Sequence, residues 1–234
     1  MSTGTAPEQP GRRCSPAPGL EELAERGQPT RPAGLRERKK LATRQALGAA
    51  AVRLAVERGL DNVLVEEIAA AADVSPRTFN NYFASKYEAI CALAVDRSFR
   101  IGEALRGRPP GESLWDAVRN AVLAVYGPSS AVPDPRVIAG IRLVTSSPAL
   151  RGEYLKALSI MHYELAEAIT ERTGARADTF FTRAFAGAVT AAVQAATERW
   201  LFADPPVALA PVIEDALREL AEGMLAVLPQ AGRK

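Results

Sequence analysis

The chain has very little cysteine and histidine: two cysteines, Cys14 and Cys91, and a single histidine, His162. The cysteines lie in different contexts, one in a tail and one in a helical pattern, so we expect no disulfide and a reducing compartment, the cytoplasm. Cys91 is expected to be a small core residue. One histidine excludes a histidine-cluster metal site, and no cysteine or histidine spacing is typical of zinc. The sequence therefore predicts no bound metal.

Long apolar runs and an excess of one charge are also missing. No uninterrupted apolar stretch is long enough to span a bilayer, and no secretory signal begins the chain, so we expect no membrane partner. The net charge is +2 over 234 residues, so any nucleic-acid surface must be a local patch. The chain has no paired nucleophile and base, no P-loop and no glycine-rich dinucleotide turn. These absences argue against an enzyme and predict no cofactor.

The most informative stretch that is present is Val65–Glu88, which reads VEEIAAAADVSPRTFNNYFASKYE. Two short helical patterns surround a tight turn. Ile68 and Ala69 share the apolar face of the first, and Phe79 and Phe83 share that of the second. The small alanine lets the second helix pass close to the first, as two helices that cross at a steep angle require. The stretch therefore predicts a helix-turn-helix.

Local signals mark the ends of these helices. Ser75 followed by Pro76 is a strong helix start, with a side-chain cap and then proline at the first helical position. Ser85 and Glu88 form a capping box for the next helix. Asp73 stands in the turn where a positive φ is expected, which aspartate tolerates better than most residues.

The second helix of the pair presents a polar face. Its outward residues are Arg77, Thr78, Asn80 and Asn81. Arginine can pair with guanine through two hydrogen bonds, asparagine can pair with adenine, and the threonine methyl can touch thymine. A short helix of this composition, held rigidly by its neighbour, suits the major groove of DNA. The alternative is a helical hairpin with a solvated polar face, because the same spacing occurs in proteins that bind no DNA.

A run of basic residues precedes this region, and only Glu37 interrupts it. Its members are Arg31, Arg36, Arg38, Lys39, Lys40 and Arg44. Such residues beside a helix-turn-helix can neutralise phosphates or enter the minor groove, although a charge run is more often a solvated face. A helix is predicted from about Leu35 to Arg58, and Gly59 ends it.

The segment VEEIAAAADVSPRTFNNYFASKYEAI, with the helix before it, resembles the DNA-binding region of TetR-type transcriptional regulators over roughly Arg36–Leu93. The resemblance implies a sequence-specific regulator, most often a ligand-responsive repressor that binds a near-palindromic operator as a homodimer. One departure concerns the start of the second helix, where the family commonly has a threonine that caps the helix and touches a phosphate. Val63 and Leu64 occupy that region here, and neither side chain can provide the cap.

On this interpretation the DNA-binding residues lie on the helix-turn-helix or on the basic run before it. They are Arg38, Lys39, Lys40, Thr43, Arg44, Ser75, Arg77, Thr78, Asn80, Asn81, Tyr82 and Lys86. We expect the four polar residues of the second helix to face base edges. Thr43, Tyr82 and Lys86 are expected to face phosphates, the last of them at a helix start that favours an anion.

The predicted fold class is all-α, because no stretch alternates with the period of a β-strand. A disordered extension, 1–32, precedes a three-helix DNA-binding head, 33–85, and a larger helical ligand-binding and dimerisation domain, 86–230. The later helices are predicted over Lys86–Arg106, Ser113–Tyr126, Arg136–Thr145, Ser147–Thr173, Asp178–Phe202 and Pro211–Leu228. The first of these belongs to both parts, and we expect it to tilt as a rigid rod when a ligand binds.

The larger domain supplies candidates for a ligand pocket and for a dimer interface. A mostly apolar cavity with a few polar groups is typical of small-molecule sites, although aromatic residues at helical spacing are more often core. The pocket candidates are Trp115, Tyr126, Arg142, His162, Tyr163, Phe181 and Gln194. Small residues let helices approach closely across a two-fold axis, although such stripes can also pack within one chain. The dimer candidates are Gly187, Ala188, Ala191, Ala195, Ile213, Leu217, Leu220 and Met224.

Two alternatives to a ligand-responsive repressor stay open. One is an activator, or a regulator without a small-molecule ligand. The other is a helical small-molecule carrier or enzyme with an incidental helix-turn-helix. The missing catalytic groups and the adjacent basic run argue against this second alternative. The sequence identifies neither the DNA operator nor the small-molecule effector.

Overall fold

The computed structural model describes residues 34–127, 132–174 and 179–227, with side chains up to residue 223. Within these ranges the regular structure is entirely helical, as the sequence predicts. The described α-helices are α1 (Leu35–Arg58), α2 (Val65–Ala71), α3 (Pro76–Asn80), α4 (Lys86–Arg106), α5 (Leu114–Tyr126), α6 (Pro135–Ser146), α7 (Arg151–Thr173), α8 (Thr179–Leu201) and α9 (Leu209–Val227). The predicted extension, 1–32, lies outside the described residues.

Hydrogen bonds between near neighbours in the chain set the ends of the helix-turn-helix as predicted. The Oγ atom of Ser75 accepts a hydrogen bond from the backbone N–H of Thr78 at 3.1 Å. The Oγ atom of Ser85 accepts one from the backbone N–H of Glu88, also at 3.1 Å. Asp73 has a φ of 55°, the left-handed conformation expected in the turn. These contacts fix where α3 and α4 begin.

The starts of α2, α7 and α9 do not follow from a side-chain cap or a proline at the first helical position alone. Leu64 gives α2 no side-chain cap, but the carboxylate of Glu67 accepts the backbone N–H of Leu64 at 3.0 Å. The prediction that α7 begins at Ser147 is wrong, because Pro148–Leu150 forms a separate 3₁₀ turn and α7 begins at Arg151. In contrast, α9 begins two residues before Pro211, because the first turn of a helix tolerates proline.

The head is formed by α1, α2, α3 and the first turns of α4, which pack around large apolar side chains. Leu47 and Leu54 of α1 and Ile68 of α2 are buried in this core. Phe79 of α3 and Phe83 just after it complete it, with ring centroids 5.6 Å apart. The two rings fill the space between the crossing helices and hold the short α3 in place.

The larger domain is built around α4, which packs against α1, α5 and α7. Its apolar core is shared by α4, α5, α7, α8 and α9. Cys91 lies in the head end of α4 and is only 1% exposed, and burial raises the pKa of its thiol to about 12. This confirms the prediction of a core cysteine. Because both cores include residues of α4, this helix connects the head with the larger domain.

Candidate functional site

The outer face of α3 carries exposed polar side chains on a rigid support. Arg77, Asn80 and Asn81 are exposed, and Arg77 has no acidic partner within the described residues. Thr78 is half-buried, and its Oγ1 atom lies 2.9 Å from the Oγ atom of Ser75. The face therefore offers a guanidinium and two amides, which are the groups that read base edges in a major groove.

The start of α1 carries a second exposed set. Arg38, Lys39 and Lys40 are exposed, and the structure records no ion pair for them. The Oγ1 atom of Thr43 donates to the carbonyl of Lys39 at 3.0 Å. Tyr82 is half-buried against the head core. Unpaired cations on one helix turn form the local basic patch that a nearly neutral chain needs to bind a phosphate backbone.

Two predicted DNA-binding residues, Arg44 and Lys86, have partners within the protein. The guanidinium of Arg44 pairs with Asp96 of α4 at 3.2 Å and lies 4.7 Å above the ring of Phe83. The ammonium of Lys86 donates to the carbonyls of Leu60 and Val63 at 2.9 and 3.0 Å. Both side chains are half-buried, because each turns back onto the head. Their charges connect α1 and the 3₁₀ turn Leu60–Asn62 to α4, and a contact with phosphates stays a prediction.

A cavity of about 350 Å³ lies between the head and the larger domain. Its walls come from α1, α4, α6, α7 and α8, with one residue from the end of α5. The lining residues are Ala49, Val52, Arg53, Val56, Glu57, Ile90, Leu93, Ala94, Arg97, Ser98, Tyr126, Arg136, Val137, Gly140, Ile141, Val144, Thr145, Tyr154, Ala157, Leu158, Met161, Val193, Gln194 and Thr197. The volume falls within the usual range for ligand pockets, about 300–1,000 Å³.

The polar groups of this cavity gather around Arg97. Its guanidinium lies 4.9 Å above the ring of Tyr126. Burial raises the pKa of Tyr126, and it raises the pKa of Tyr154 to about 12. Both phenols are therefore neutral near pH 7 and can donate hydrogen bonds.

Sequence reasoning identified only part of this cavity. Among the pocket candidates, Tyr126 and Gln194 line this cavity, and their role in ligand binding stays a prediction. Sequence reasoning missed Arg97 and Tyr154 as lining residues. Arg97 continues the apolar stripe of α4 that contains Ile90. A cation on such a stripe is a usable signal, because it needs a special reason to be there.

The other five pocket candidates lie outside the cavity lining, and their assignment is corrected. Trp115 and Phe181 pack on the buried Phe185 with ring centroids 5.9 and 5.8 Å apart, although Phe181 is itself exposed. Arg142 donates to the carbonyl of Leu201 at 2.7 Å. The Nε2 atom of His162 lies 2.9 Å from the carbonyl oxygen of Arg183. Tyr163 is half-buried on α7.

The predicted dimer residues divide between two helices. On α8, Ala191 and Ala195 are exposed, and Gly187 and Ala188 are half-buried. Their place between two chains stays a prediction. Phe180 and Phe202, near the two ends of α8, are 77% and 75% exposed.

The α9 candidates pack inward. Ile213 and Leu217 are completely buried in the core of their own chain, so their assignment to the dimer interface is wrong. Leu220 is half-buried against the same core, and the side chain of Met224 lies outside the described residues. The amphipathic stripe of α9 serves the monomer, because the helix needs an apolar face to pack on α5 and α8.

In residues 34–127, 132–174 and 179–227, which the structure describes, no cluster of three or more histidine, cysteine, aspartate or glutamate residues could hold a metal ion. None of the helices in those ranges is long and apolar enough to cross a membrane.

Comparisons with known proteins agree with this architecture. Residues 47–90 match the family described as bacterial regulatory proteins, tetR family, and residues 112–225 match the MftR C-terminal domain. The HTH-type transcriptional regulator TcmR of Streptomyces glaucescens is 36% identical over 203 residues, which cover 82% of this chain and 89% of that protein.

Solved structures share the fold at low sequence identity. One is a putative TetR-family regulator from Syntrophomonas wolfei, with a TM-score of 0.59 and 17% identity over 81% of this chain and 98% of that chain. Another is the fatty acid degradation regulator FadR from Bacillus halodurans, with a TM-score of 0.51 and 18% identity over 76% of this chain and 94% of that chain. The family match, the similarity to TcmR and the shared fold indicate the same kind of protein as the exposed polar face of α3. The chain belongs to the TetR family of DNA-binding transcriptional regulators.

Proposed function

We propose that this protein is a ligand-responsive repressor: a homodimer that binds a near-palindromic operator and releases it when an effector occupies the cavity. The composition of the cavity wall carries the proposal. Val52 and Val56 of α1, in the head, line the same cavity as residues of α6, α7 and α8. A molecule bound there touches both parts of the protein. We take 33–85 as the DNA-binding part, 86–230 as the effector-binding and dimerisation part, and the bacterial cytoplasm as the place of action.

On the DNA side, α3 is the recognition helix. The exposed Arg77, Asn80 and Asn81 would contact base edges, and the unpaired Lys39 and Lys40 would contact phosphates. In a symmetric dimer, two copies of α3 would enter successive major grooves, about 34 Å apart along the duplex. That arrangement requires a near-palindromic operator, because the symmetry of the protein is repeated in the site.

The dimer we propose forms on the outer face of α8. Ala191 and Ala195 leave that face free of bulky side chains, so the same helix of a second chain can approach closely. At the two ends of this contact, the second chain would cover the exposed rings of Phe180 and Phe202. The outer face of α9 is charged, with Glu214 and Asp215 exposed, so it is better suited to contact with solvent than with a second chain.

Coupling between effector and DNA would pass through the seam between α1 and α6 as well as through α4. At this seam, a Cβ atom on Gly140 of α6 would lie 2.7 Å from the Cγ1 atom of Val52 of α1. Gly140 and Val52 also line the cavity. A molecule that enters the cavity would push on the contact between Gly140 and Val52, which is too close to accept another atom. It changes the DNA affinity only if it binds the two head arrangements unequally, and DNA must weaken its binding by the same factor.

Selection of genomic DNA fragments on the purified protein tests this function. We expect one near-palindromic sequence and two chains per site in native mass spectrometry. Arg77→Ala should relax the preference at one base position, at a cost of about 1–3 kcal/mol. Selection without sequence preference, or a single chain bound to the whole operator, would contradict the proposal. A reporter gene behind the operator separates repression from activation, because removal of a repressor raises expression and removal of an activator lowers it.

A further inference from the structure

We propose that the cavity takes a largely apolar molecule with one anionic group, and that Arg97 binds this group. The inference rests on the proposed function, in which the cavity holds the effector. It adds the chemical class of that effector and the residue that selects it.

The first argument is that Arg97 has no counter-charge. Two other arginines whose side chains are partly buried are paired: Arg106 contacts Glu164 and Glu171 at 3.0 Å, and Arg44 contacts Asp96 at 3.2 Å. Arg97 is half-buried on the same helix as Arg106, yet no ion pair is recorded for it. A cation removed from water without an anion is unfavourable. The guanidinium of Arg97 carries five N–H donors and faces the ring of Tyr126.

The second argument is the overall charge of the lining. Three arginines and one glutamate line the cavity. The glutamate, Glu57, lies 3.9 Å from Arg53 on the same helix, and both side chains are well exposed. Arg136 is exposed on α6. The lining therefore carries an excess of positive charge, and Arg97 is its half-buried member.

The third argument is that the free polar groups near Arg97 are donors. The hydroxyl of Ser98 already donates to the carbonyl of Ala157 at 3.0 Å, and that of Thr197 donates to Val193 at 2.8 Å. The nearby carboxylate of Glu198 accepts the side-chain amide of Gln194 at 3.0 Å.

This leaves the guanidinium of Arg97 and the neutral phenols of Tyr126 and Tyr154 as donors. An anionic oxygen group is the complement of such a set, because it accepts several hydrogen bonds and supplies the missing charge.

The rest of the wall fits an apolar body. Leu93 and Val137 line the cavity, although they are 38% and 51% exposed. Val52, Val56 and Ile141 extend the same apolar surface. A bound hydrocarbon or aromatic group would cover these side chains, and removal of apolar surface from water would add to the affinity.

A matched pair of fluorescent probes tests the inference on the full-length protein without DNA. Anilinonaphthalene sulfonate carries one negative charge, and N-phenylnaphthylamine has nearly the same rings without it. We expect the wild-type protein to bind both. Arg97→Gln should weaken the anionic probe at least about tenfold, the range for a hydrogen bond to a charged group, and leave the neutral probe within about twofold.

Two control variants locate the effect. Arg100→Gln changes an exposed arginine on the next turn of α4, outside the cavity lining, and should leave both probes unchanged. Ala94→Phe places a ring in the cavity and should weaken both probes, while thermal unfolding followed by circular dichroism confirms that each variant folds. Equal loss of both probes in Arg97→Gln, no loss of the anionic probe, or undiminished binding to Ala94→Phe would each overturn the inference.

Failure of this inference is distinguishable from failure of the proposed function. If no operator is found but the probes respond to Arg97→Gln as expected, the repressor is disproved and the anion site stands. If an operator is found but the probes do not discriminate, the regulator stands and the effector belongs to another chemical class.

Discussion

The head and the larger domain use their apolar residues differently where they meet. In the head, the rings of Phe79 and Phe83 are 0% and 2% exposed and fill the space between crossing helices. On the other side of α1, small and branched residues leave a cavity of about 350 Å³. The filled core holds α3 in one position, as the reading of DNA requires. In the function we propose, a small molecule in the cavity would give the contact between α1 and α6 a second packing.

The largest effect should come from creating a cavity in the filled core of the head. Phe79→Ala removes a ring at the centre of the head core, which should cost about 3–5 kcal/mol and abolish specific DNA binding. Urea unfolding and operator binding measure the two effects. The control is Asn80→Ala, next to it and exposed, which should change stability by no more than about 0.5 kcal/mol. Retained operator affinity in Phe79→Ala would show that α3 does not depend on this core.

A comparable effect is expected from a charge on the outer face of α8. Ala191→Glu would bury a carboxylate without a partner at the proposed dimer contact, so dimer dissociation should rise by at least about a hundredfold, or 2.7 kcal/mol. Analytical ultracentrifugation measures it. Glu214→Lys, on the exposed face of α9, is the control and should remain dimeric. A dimer that tolerates Ala191→Glu but not Glu214→Lys would move the interface to α9.

A smaller effect is expected from a change at the seam between α1 and α6, beside the cavity. Gly140→Ala brings a Cβ atom to 2.7 Å from the Cγ1 atom of Val52, and such overpacking costs about 1–3 kcal/mol. We expect α6 and α1 to separate, so that operator affinity falls without any effector. Adding Val52→Ala removes the clash and should restore much of the affinity. If the double variant binds operator no better than Gly140→Ala, the seam does not control the head.

The smallest effect separates two lysines of the head. Lys86→Met removes the donor to the carbonyls of Leu60 and Val63, so stability should fall by about 1–3 kcal/mol. The slope of operator affinity against salt should not change, since this ammonium faces the protein. Lys40→Met should leave stability unchanged and reduce the magnitude of the salt slope by about one phosphate contact. The reverse pattern would return Lys86 to the phosphate-binding role that its position at a helix start first suggested.

Local signals explain why so much of the head could be predicted. The caps at Ser75 and Ser85 act across three residues, and the turn at Asp73 depends on one residue's φ. The apolar faces of α1 and α3 repeat within a few turns, so their period is visible in the sequence. The helix order of the larger domain followed from the same kind of signal.

The all-α fold, the helix-turn-helix and the polar residues on its outer face follow from the sequence alone, because each depends on neighbours within one or two helical turns. Tertiary structure decided which charges remain free. Arg44 meets Asp96 across 52 positions of the chain, and Lys86 meets Leu60 across 26. It also decided that Ile213 is core and that Arg97 lines a cavity. Those outcomes depend on helices distant in sequence, and a helical period tells only that a face is apolar, not which surface will cover it.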